Sequence, residues 1–233
     1  MKKILIAEDE DSIRELIALN LTHSGYEVIQ ATNGTEAIEI FTKMKNELDI
    51  VLLDIMMPGE DGLTVCRHAR SLNANVGIIM LTAKTQESDK VTGLYSGADD
   101  YITKPFSVVE LLARIESVYR RVRLNREIII SSNHDEIKSG SFTLSSKRRA
   151  IFISDKKVEL SQIEFQILEF FFSNPGKTIT RQEILEYVWG GTYFGDDKVV
   201  DVNIRRLRLK IEKDPSSPEH LITVWGQGYK WVE

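Results

Sequence analysis

The 233-residue chain is 42% hydrophobic, has a formal net charge of -5 and contains one cysteine, which allows one large domain or two small ones. Because Cys66 has no second cysteine to pair with, an intrachain disulfide is excluded and a reducing compartment fits. No apolar run of about 18 residues and no basic-then-apolar leader is present, which predicts a soluble, cytoplasmic protein without membrane contact.

The balance of charge changes near residue 122. Residues 1–122 carry 13 Lys/Arg and 19 Asp/Glu, a balance of -6, whereas residues 123–233 carry 17 and 16, a balance of +1. Six basic residues of the second half lie between Lys198 and Lys213, and a local basic cluster indicates nucleic-acid contact better than net charge does. We therefore predict two domains and a linker that has no strong hydrophobic period, at residues 1–121, 134–233 and 122–133 respectively.

The first half alternates strand-like segments, rich in Val, Ile and Leu, with amphipathic helical patterns. Such apolar runs are typical of parallel strands that are covered by helices on both faces. The alternation predicts a doubly wound, five-stranded parallel sheet with an α/β fold, whose functional site lies at the carboxyl ends of the strands. The predicted strands are Lys3–Ala7, Tyr26–Ala31, Ile50–Leu53, Val76–Leu81 and Asp100–Thr103.

The second half has shorter segments and predicts a small α+β domain. Ser161 and Glu164 have the spacing of a capping box, in which each residue satisfies a backbone N–H of the other at the start of a helix. Glycines near the end of the chain favour a β-hairpin. The predicted elements are an antiparallel sheet within 137–160, helices that begin after Ser161, after Thr180 and at Lys198, and a hairpin at 221–232.

Polar side chains end four of the five predicted strands of the first half. Glu8 and Asp9 follow the first strand, Asp54 the third, Thr82 the fourth and Lys104 the fifth. Carboxylates at adjacent strand ends repel one another unless a hard divalent cation lies between them. Each residue alone has an ordinary explanation, as a turn cap or a solvated lysine, but the set of five indicates a site.

Four runs of sequence resemble the receiver domains of two-component response regulators: IAEDE at 6–10, LDIMMPG at 53–59, LTA at 81–83 and GADDYITKPF at 97–106. The resemblance covers residues 1–122. It implies that Asp54 accepts a phosphoryl group from a phosphohistidine on a sensor histidine kinase. It also implies a Mg²⁺ cofactor held by Asp9, Asp54 and the backbone carbonyl of Met56, with Glu8 acting through water.

The same resemblance implies how a phosphoryl group changes the surface of the domain. Lys104 stabilises the charge that develops on the phosphoryl oxygens. Thr82 then donates a hydrogen bond to the attached phosphate, and Tyr101 rotates into the space that the hydroxyl has left. Phosphorylation of an aspartate also occurs in hydrolases of the haloacid dehalogenase type. These need a second carboxylate two residues after the nucleophile, where this chain has Met56, so we do not expect an enzyme.

Six charged residues lie on the last strand of the predicted sheet and on the helices that flank it. Their ordinary explanation is a solvated face with ion pairs that contribute roughly 0–1 kcal/mol each. Resemblance to regulators of the OmpR/PhoB type implies instead a dimer face, where symmetric ion pairs form between subunits after phosphorylation. The residues are Lys90, Asp99, Asp100, Glu110, Arg114 and Arg121.

The third helix of the second half has an apolar face and a basic face, followed by the hairpin. An amphipathic helix with a solvated basic side is the ordinary explanation, but a helix beside a β-wing is typical of major-groove readers. Several runs resemble the OmpR/PhoB winged-helix domain: LSxxEF at 160–165, NPG at 174–176, VWG at 188–190, VDVNIRRLR at 200–208 and GQGY at 226–229.

This resemblance implies that the helix and wing bind double-stranded promoter DNA. It places Asn203 and Arg206 near bases. It assigns the other basic residues, Lys198, Arg205, Arg208, Lys210 and Lys230, mainly to phosphates. The loop at 190–197 resembles the segment that contacts RNA polymerase in activators of this family, although it also fits an ordinary loop.

One position departs from the family pattern. Wings of this type usually carry an Arg before the Gly-x-Gly-Tyr turn, where this chain has Trp225. An indole has no charge to exploit the potential of a narrow minor groove. Three environments for it stay open: the sugars of DNA, the neighbouring Tyr229 and Trp231, or the domain core.

Together these features predict a transcription regulator that is switched by phosphorylation and binds tandem half-sites as a homodimer. A second hypothesis is a constitutive DNA-binding regulator whose receiver is not phosphorylated. A third is a protein–protein adaptor without a DNA role, which the basic helix and the wing disfavour.

Overall fold

The computed structural model describes residues 2–73, 75–82, 97–131, 136–148, 150–190 and 197–233. The chain divides into two compact units, Met1–Arg123 and Leu124–Glu233. Among the described residues, no helix is both long enough and apolar enough to cross a membrane.

The first unit is built on a parallel sheet of five strands in the order β2-β1-β3-β4-β5. The strands are β1 (Lys2–Ala7), β2 (Tyr26–Ala31), β3 (Ile50–Asp54), β4 (Gly77–Thr82) and β5 (Asp100–Thr103). The described helices of this part of the chain are α1 (Asp11–His23), α2 (Gly34–Met44), α3 (Gly62–Leu72) and α4 (Val108–Ser131).

The sheet forms because its inner strands are apolar on both faces. Every residue of β3 and of β4 is buried, as expected for strands with helices on both sides. The five strands match the predicted ones to within one residue at each end, and the predicted doubly wound α/β class is confirmed. The order reverses at β1, so its carboxyl end and that of β3 lie at the switch point where such sheets place their sites.

Helix α4 is longer than its sequence pattern indicates. The predicted linker begins at residue 122, but the helix continues to Ser131. The sequence from 122 to 131 lacks the apolar stripe that predicts a packed helix, yet it also has no Gly or Pro to end one, and helices propagate more easily than they begin. The first ten residues of the predicted linker are therefore helical.

The described residues of the second unit form two antiparallel sheets and three helices, besides the end of α4. One sheet has the order β6-β7-β8-β9 and the other the order β10-β12-β11. The strands are β6 (Glu136–Ser139), β7 (Phe142–Ser145), β8 (Ala150–Ile153), β9 (Lys156–Glu159), β10 (Thr178–Ile179), β11 (Leu221–Val224) and β12 (Gly228–Trp231). The helices are α5 (Gln162–Phe172), α6 (Arg181–Trp189) and α7 (Lys198–Ile211).

Local sequence accounts for where these helices begin. Ser161 and Glu164 form the predicted capping box of α5, and Thr180 with Glu183 forms another at α6. Strand β10 was not predicted, because two residues are too few to show a period; it exists through its pairing with β12. Gly228 permits this pairing, since a Cβ there would lie 2.1 Å from the carbonyl oxygen of Ile179.

Candidate functional site

The three carboxylates predicted to cluster do lie together at the ends of β1 and β3. One carboxylate oxygen from each of Glu8, Asp9 and Asp54 lies within 4.8 Å of the others. Glu8 and Asp54 are buried and Asp9 is exposed. The strand ends place these side chains because β1 and β3 are hydrogen-bonded neighbours. We call this cluster the acidic pocket.

Lys104 neutralises the buried side of the acidic pocket. Its Nζ donates hydrogen bonds to Glu8 Oε2 at 2.6 Å and to Asp54 Oδ2 at 2.8 Å. Burial lowers the pKa of Lys104, but the hydrogen bonds to the two carboxylates outweigh this and raise it. Burial also raises the pKa of Glu8, and the charge of Asp54 adds to the effect against the hydrogen bond from Lys104. The acidic pocket thus holds three carboxylates beside one ammonium group, which leaves an excess of negative charge.

The donor set of the acidic pocket fits a hard divalent cation. Carboxylate oxygens at several strand ends are the ligands that Mg²⁺ prefers, usually together with water, and the exposed Asp9 leaves the pocket open to solvent. The backbone N–H of Met56 lies 3.4 Å from Asp54 Oδ1, while the Met56 side chain is 60% exposed. The main chain of Met56 therefore borders the pocket and its side chain points away from the core.

Arg14 supports the acidic pocket from α1, which sequence reasoning missed. Its Nη1 donates a hydrogen bond to the backbone oxygen of Glu8 at 2.9 Å, and its other nitrogen pairs with Asp11. The signal was present in the sequence. Arg14 occupies an inward position on the same helical face as Ile17 and Leu21, where a charged residue needs a buried partner.

Thr82 and Tyr101 lie on adjacent strands beside the acidic pocket. Thr82 is buried at the end of β4, and its backbone oxygen accepts a hydrogen bond from the N–H of Lys104 at 2.7 Å. Tyr101 is also buried, and it is opposite Met80 in the β4–β5 register. Thr82 is therefore on the strand next to that of Asp54, and Tyr101 is on the strand beyond it.

The predicted dimer face is more buried than expected. Asp99, Asp100 and Arg121 are buried, so the ordinary explanation of a solvated face does not hold for these three, and the dimer face stays a prediction. Asp99 pairs with Arg70 of α3. A charge on a strand or helix next to the core needs such a partner. Lys90 lies outside the described residues.

Within this set, Arg114 connects β5 and α4. It lies 3.1 Å from Asp100 and 3.0 Å from Glu110. Burial raises the pKa of Asp100, although the charge of Arg114 opposes the shift. Glu110 has a side chain that is 41% exposed, so this triad reaches the surface at one end.

The two residues expected to read bases face the interior of the second unit. Asn203 is fully buried, and its amide nitrogen donates a hydrogen bond to the backbone oxygen of Val199. Arg206 is also buried and donates a hydrogen bond to the Asn203 side-chain oxygen at 3.2 Å. Both side chains therefore lie on the face of α7 that packs inward, and not at the surface where the prediction expects them.

A buried carboxylate of α5 explains why this face carries basic residues. Glu164 is fully buried, and its two oxygens contact Arg206 at 3.2 Å and Lys210 at 2.7 Å. Lys210 also donates to the backbone oxygen of Glu159 at 3.0 Å. Burial raises the pKa of Glu164, but the charges of Arg206 and Lys210 outweigh it and the pKa falls. Lys210, which is predicted to contact phosphates, thus makes an ion pair within the second unit, although its side chain is 35% exposed.

Arg208 joins α7 to the hairpin. Its side chain donates to the backbone oxygen of Leu221 at 2.8 Å and to Thr223 Oγ1 at 2.9 Å. About two turns closer to the N-terminus of α7, Asp201 accepts from Tyr229 of β12 at 2.6 Å and from Arg181 of α6 at 2.7 Å. These contacts fix the helix against both the hairpin and α6, and sequence reasoning missed them because the partners are far apart in the chain.

The remaining predicted DNA contacts stay at the surface. Arg205 is exposed, and Lys198 and Lys230 are half-buried. Trp225 at the hairpin tip is 90% exposed, which excludes the domain core as its environment. Of the loop that resembles an RNA polymerase contact, residues 191–196 lie outside the described residues.

Comparison with known proteins agrees with both units. Residues 4–116 match the response regulator receiver domain, and residues 155–231 match the C-terminal domain of transcriptional regulatory proteins. The sensory transduction protein RegX3 of Mycolicibacterium smegmatis is 40% identical over 99% of both chains. The RegX3 protein of Mycobacterium tuberculosis is 41% identical over the same share.

The chain belongs to the two-component response regulators. Its DNA-binding domain is of the OmpR/PhoB type. Among solved structures, a RitR mutant covers all of both chains with a TM-score of 0.81 at 22% identity, which supports the fold. A receiver domain from Clostridium thermocellum covers 53% of this response regulator and 98% of its own chain, with a TM-score of 0.51 at 30% identity.

Proposed function

We propose that this response regulator is switched by phosphorylation of Asp54, and that the phosphorylated form dimerises and binds tandem half-sites of promoter DNA. The observation that carries the proposal is the acidic pocket, where the Lys104 ammonium bridges Glu8 and Asp54 at 2.6 and 2.8 Å. A carboxylate that is buried beside an ammonium and open to solvent through Asp9 is suited to attack a phosphoryl group.

In the proposed transfer, a carboxylate oxygen of Asp54 attacks the phosphorus of a phosphohistidine on a sensor histidine kinase. A P–O bond forms, the P–N bond breaks, and the histidine nitrogen keeps the electron pair and later takes a proton. Lys104 is placed to stabilise the negative charge that moves onto the phosphoryl oxygens. Arg14 holds the turn that carries Glu8 and Asp9.

Mg²⁺ is the cofactor that suits these residues. Asp9, Asp54 and the Met56 carbonyl would hold it directly, and Glu8 would act through water. When bound, it supplies positive charge that offsets the repulsion among the carboxylates and stabilises the transferring group.

The proposed switch involves Thr82 and Tyr101. The Thr82 hydroxyl would hydrogen-bond the new phosphate, and Tyr101 would move into the space that it leaves. Both residues are buried, and they lie on β4 and β5, the two strands that follow β3 in the sheet, so a change at Asp54 can reach the surface through these strands. The triad of Asp100, Arg114 and Glu110 lies on that route, and its rearrangement into pairs between subunits would drive dimerisation.

For DNA, we propose that α7 lies in the major groove and that the hairpin serves as the wing. Lys198, Arg205 and Lys230 would contact phosphates; Arg205 is exposed and the other two are half-buried. Two half-sites on one duplex raise the effective concentration of the second domain, so that dimerisation increases affinity.

Intact mass measurement after incubation with acetyl phosphate and Mg²⁺ tests the phosphoacceptor. The native chain should gain one phosphoryl group, and Asp54→Asn should gain none, because it keeps the shape and loses the nucleophile. Asp61→Asn is the matched control. Asp61 caps α3 through the backbone N–H of Thr64 at 2.7 Å, and Asn caps equally well, so this variant should still be phosphorylated.

Phosphorylation of the Asp54→Asn variant would refute the assignment. If the native chain stays unmodified yet footprints promoter DNA, the constitutive regulator is the better hypothesis. If the native chain neither dimerises nor binds DNA, the hypothesis that remains is a protein–protein adaptor without a DNA role.

A further inference from the structure

The basic residues of α7 divide into two groups by the direction in which they point. Arg205 is exposed on the outer face, next to Leu209, which is 61% exposed. Arg206 and Lys210 are four residues apart and share one face of the helix, where both contact Glu164. Part of the positive charge of α7 is therefore directed at Glu164 and not at a ligand.

We propose that Glu164 is a positioning residue that withholds the Lys210 ammonium from DNA and thereby limits the affinity of the domain for DNA of any sequence. The proposal uses the DNA binding of the family and adds a role for a carboxylate that the proposed function does not use. The ligand is the phosphate backbone of DNA. A DNA phosphate and the buried carboxylate of Glu164 compete for the Lys210 ammonium.

Three contacts favour Glu164 in this competition. Glu164 Oε2 accepts from Lys210 Nζ at 2.7 Å and from the backbone N–H of Ser161 at 2.7 Å, so the carboxylate is held in place before the ammonium arrives. The Lys210 ammonium gains a further acceptor in the Glu159 backbone oxygen at 3.0 Å. A phosphate contact by Lys210 would require both of its bonds to break.

The burial of Glu164 adds to this preference. The carboxylate has no exposed surface, so moving Lys210 to DNA would leave a desolvated charge with Arg206 as its remaining cation. The Lys210 side chain is 35% exposed, but removing the cation from a buried carboxylate costs more than an exposed ion pair returns. Arg206 cannot replace Lys210 at the surface without unpacking the helix. Its side chain is hydrogen-bonded to Asn203 and is almost as buried as that of Glu164.

Salt dependence separates this role from a purely structural one. Each phosphate contact changes the slope of log K against log salt concentration by about 0.9. Binding of the full chain to a random-sequence duplex would be measured by fluorescence anisotropy over a series of salt concentrations. Lys210→Met should leave the slope of the native chain unchanged, whereas Arg205→Gln should make it shallower by about one unit.

Glu164→Gln should show the opposite change. Gln keeps the volume and an acceptor for Ser161 but loses the charge, so Lys210 is released, the slope becomes steeper by about one unit, and affinity for the random duplex rises. Adding Lys210→Met to this variant should return the slope to the native value. Glu159→Gln is the control, because its side chain pairs with Lys157 and not with Lys210.

Two results would overturn the proposal: a slope that becomes shallower in Lys210→Met as it does in Arg205→Gln, or an unchanged slope in a folded Glu164→Gln protein. If Glu164→Gln does not fold, as judged by circular dichroism, the comparison of Lys210→Met with Arg205→Gln decides alone. A native chain that binds no duplex at any salt concentration would instead refute the proposed DNA binding.

Discussion

Replacement of Lys104 by Met tests whether the lysine neutralises the acidic pocket. Met has a similar length and no charge, so the change removes the ammonium while the pocket stays filled. In the native chain this ammonium contacts Glu8 at 2.6 Å and Asp54 at 2.8 Å. Without it, and without a divalent cation, two buried carboxylates face each other unpaired.

The expected loss of stability follows from the geometry. Two like charges at 4.8 Å, the upper limit of the separations in the acidic pocket, repel by about 3–4 kcal/mol at an effective dielectric constant of about 20. Removing one partner of a buried ion pair costs about 3–5 kcal/mol. We expect a loss of about 3 kcal/mol at neutral pH, the lower end of both ranges. Burial already raises the pKa of Glu8, and protonation of Glu8 relieves part of the repulsion.

Urea unfolding of the full chain measures this loss in the first unit. All three tryptophans, Trp189, Trp225 and Trp231, lie in the second unit, so fluorescence follows that unit while far-ultraviolet circular dichroism follows both. Lys104→Met should lower the circular dichroism transition of the first unit and leave the fluorescence transition in place. Saturating Mg²⁺ should restore most of the loss, since the cation takes over the neutralising role.

The result is also expected to depend on pH. Because the folded pKa of Glu8 is raised, lowering the pH towards it protonates the carboxyl group and reduces the difference between variant and native chain. An unchanged unfolding transition of Lys104→Met in chelator at neutral pH would refute the reasoning. It would mean that the acidic pocket is solvated well enough to need no counter-charge.

Three further predictions concern the other sites. Glu110→Gln, which leaves no buried charge unpaired, should weaken dimerisation of the phosphorylated chain, and Arg114→Ala should abolish it; an unchanged sedimentation rate in both would argue against this face. Trp225→Arg should tighten DNA binding and steepen its salt slope by roughly one unit, and an unchanged slope in the folded variant would show that the hairpin tip does not reach DNA. The folded pKa of Glu164 is lowered, so its stabilisation is present above the unfolded pKa and is lost as the pH falls through the folded pKa. Glu164→Gln should therefore lose less stability than the native chain when the fluorescence transition is followed to low pH.

The sequence alone determined the fold of the first unit and the members of its pocket. Apolar runs of five or six residues specify buried parallel strands, and the topology of such a sheet brings their carboxyl ends together. Glu8, Asp9, Asp54, Thr82 and Lys104 could thus be assigned to one place from the positions at which their strands end. The capping box of α5 was equally predictable, because it depends on residues three positions apart.

The orientation of the basic residues on α7 was decided by tertiary structure. A helical pattern shows which residues share a face, but a wide apolar stripe leaves the rotation of the helix uncertain by about one residue. Asn203 and Arg206 border that stripe, and the carboxylate of Glu164, from α5, draws Arg206 inward. The sequence showed Glu164 as half of a capping box and did not indicate that it also pairs with Arg206 and Lys210.

Throughout the chain, the same physical reason separates the features that the sequence determines from those that only the tertiary structure decides. Strand ends, caps and turns depend on neighbours within a few residues, so their residue types are visible in the sequence. A buried ion pair such as Asp99 with Arg70, or Glu164 with Lys210, depends on which side chains meet after the helices have packed. Burying a charge is favourable only with its partner in place, and that partner is chosen by the packing of distant elements.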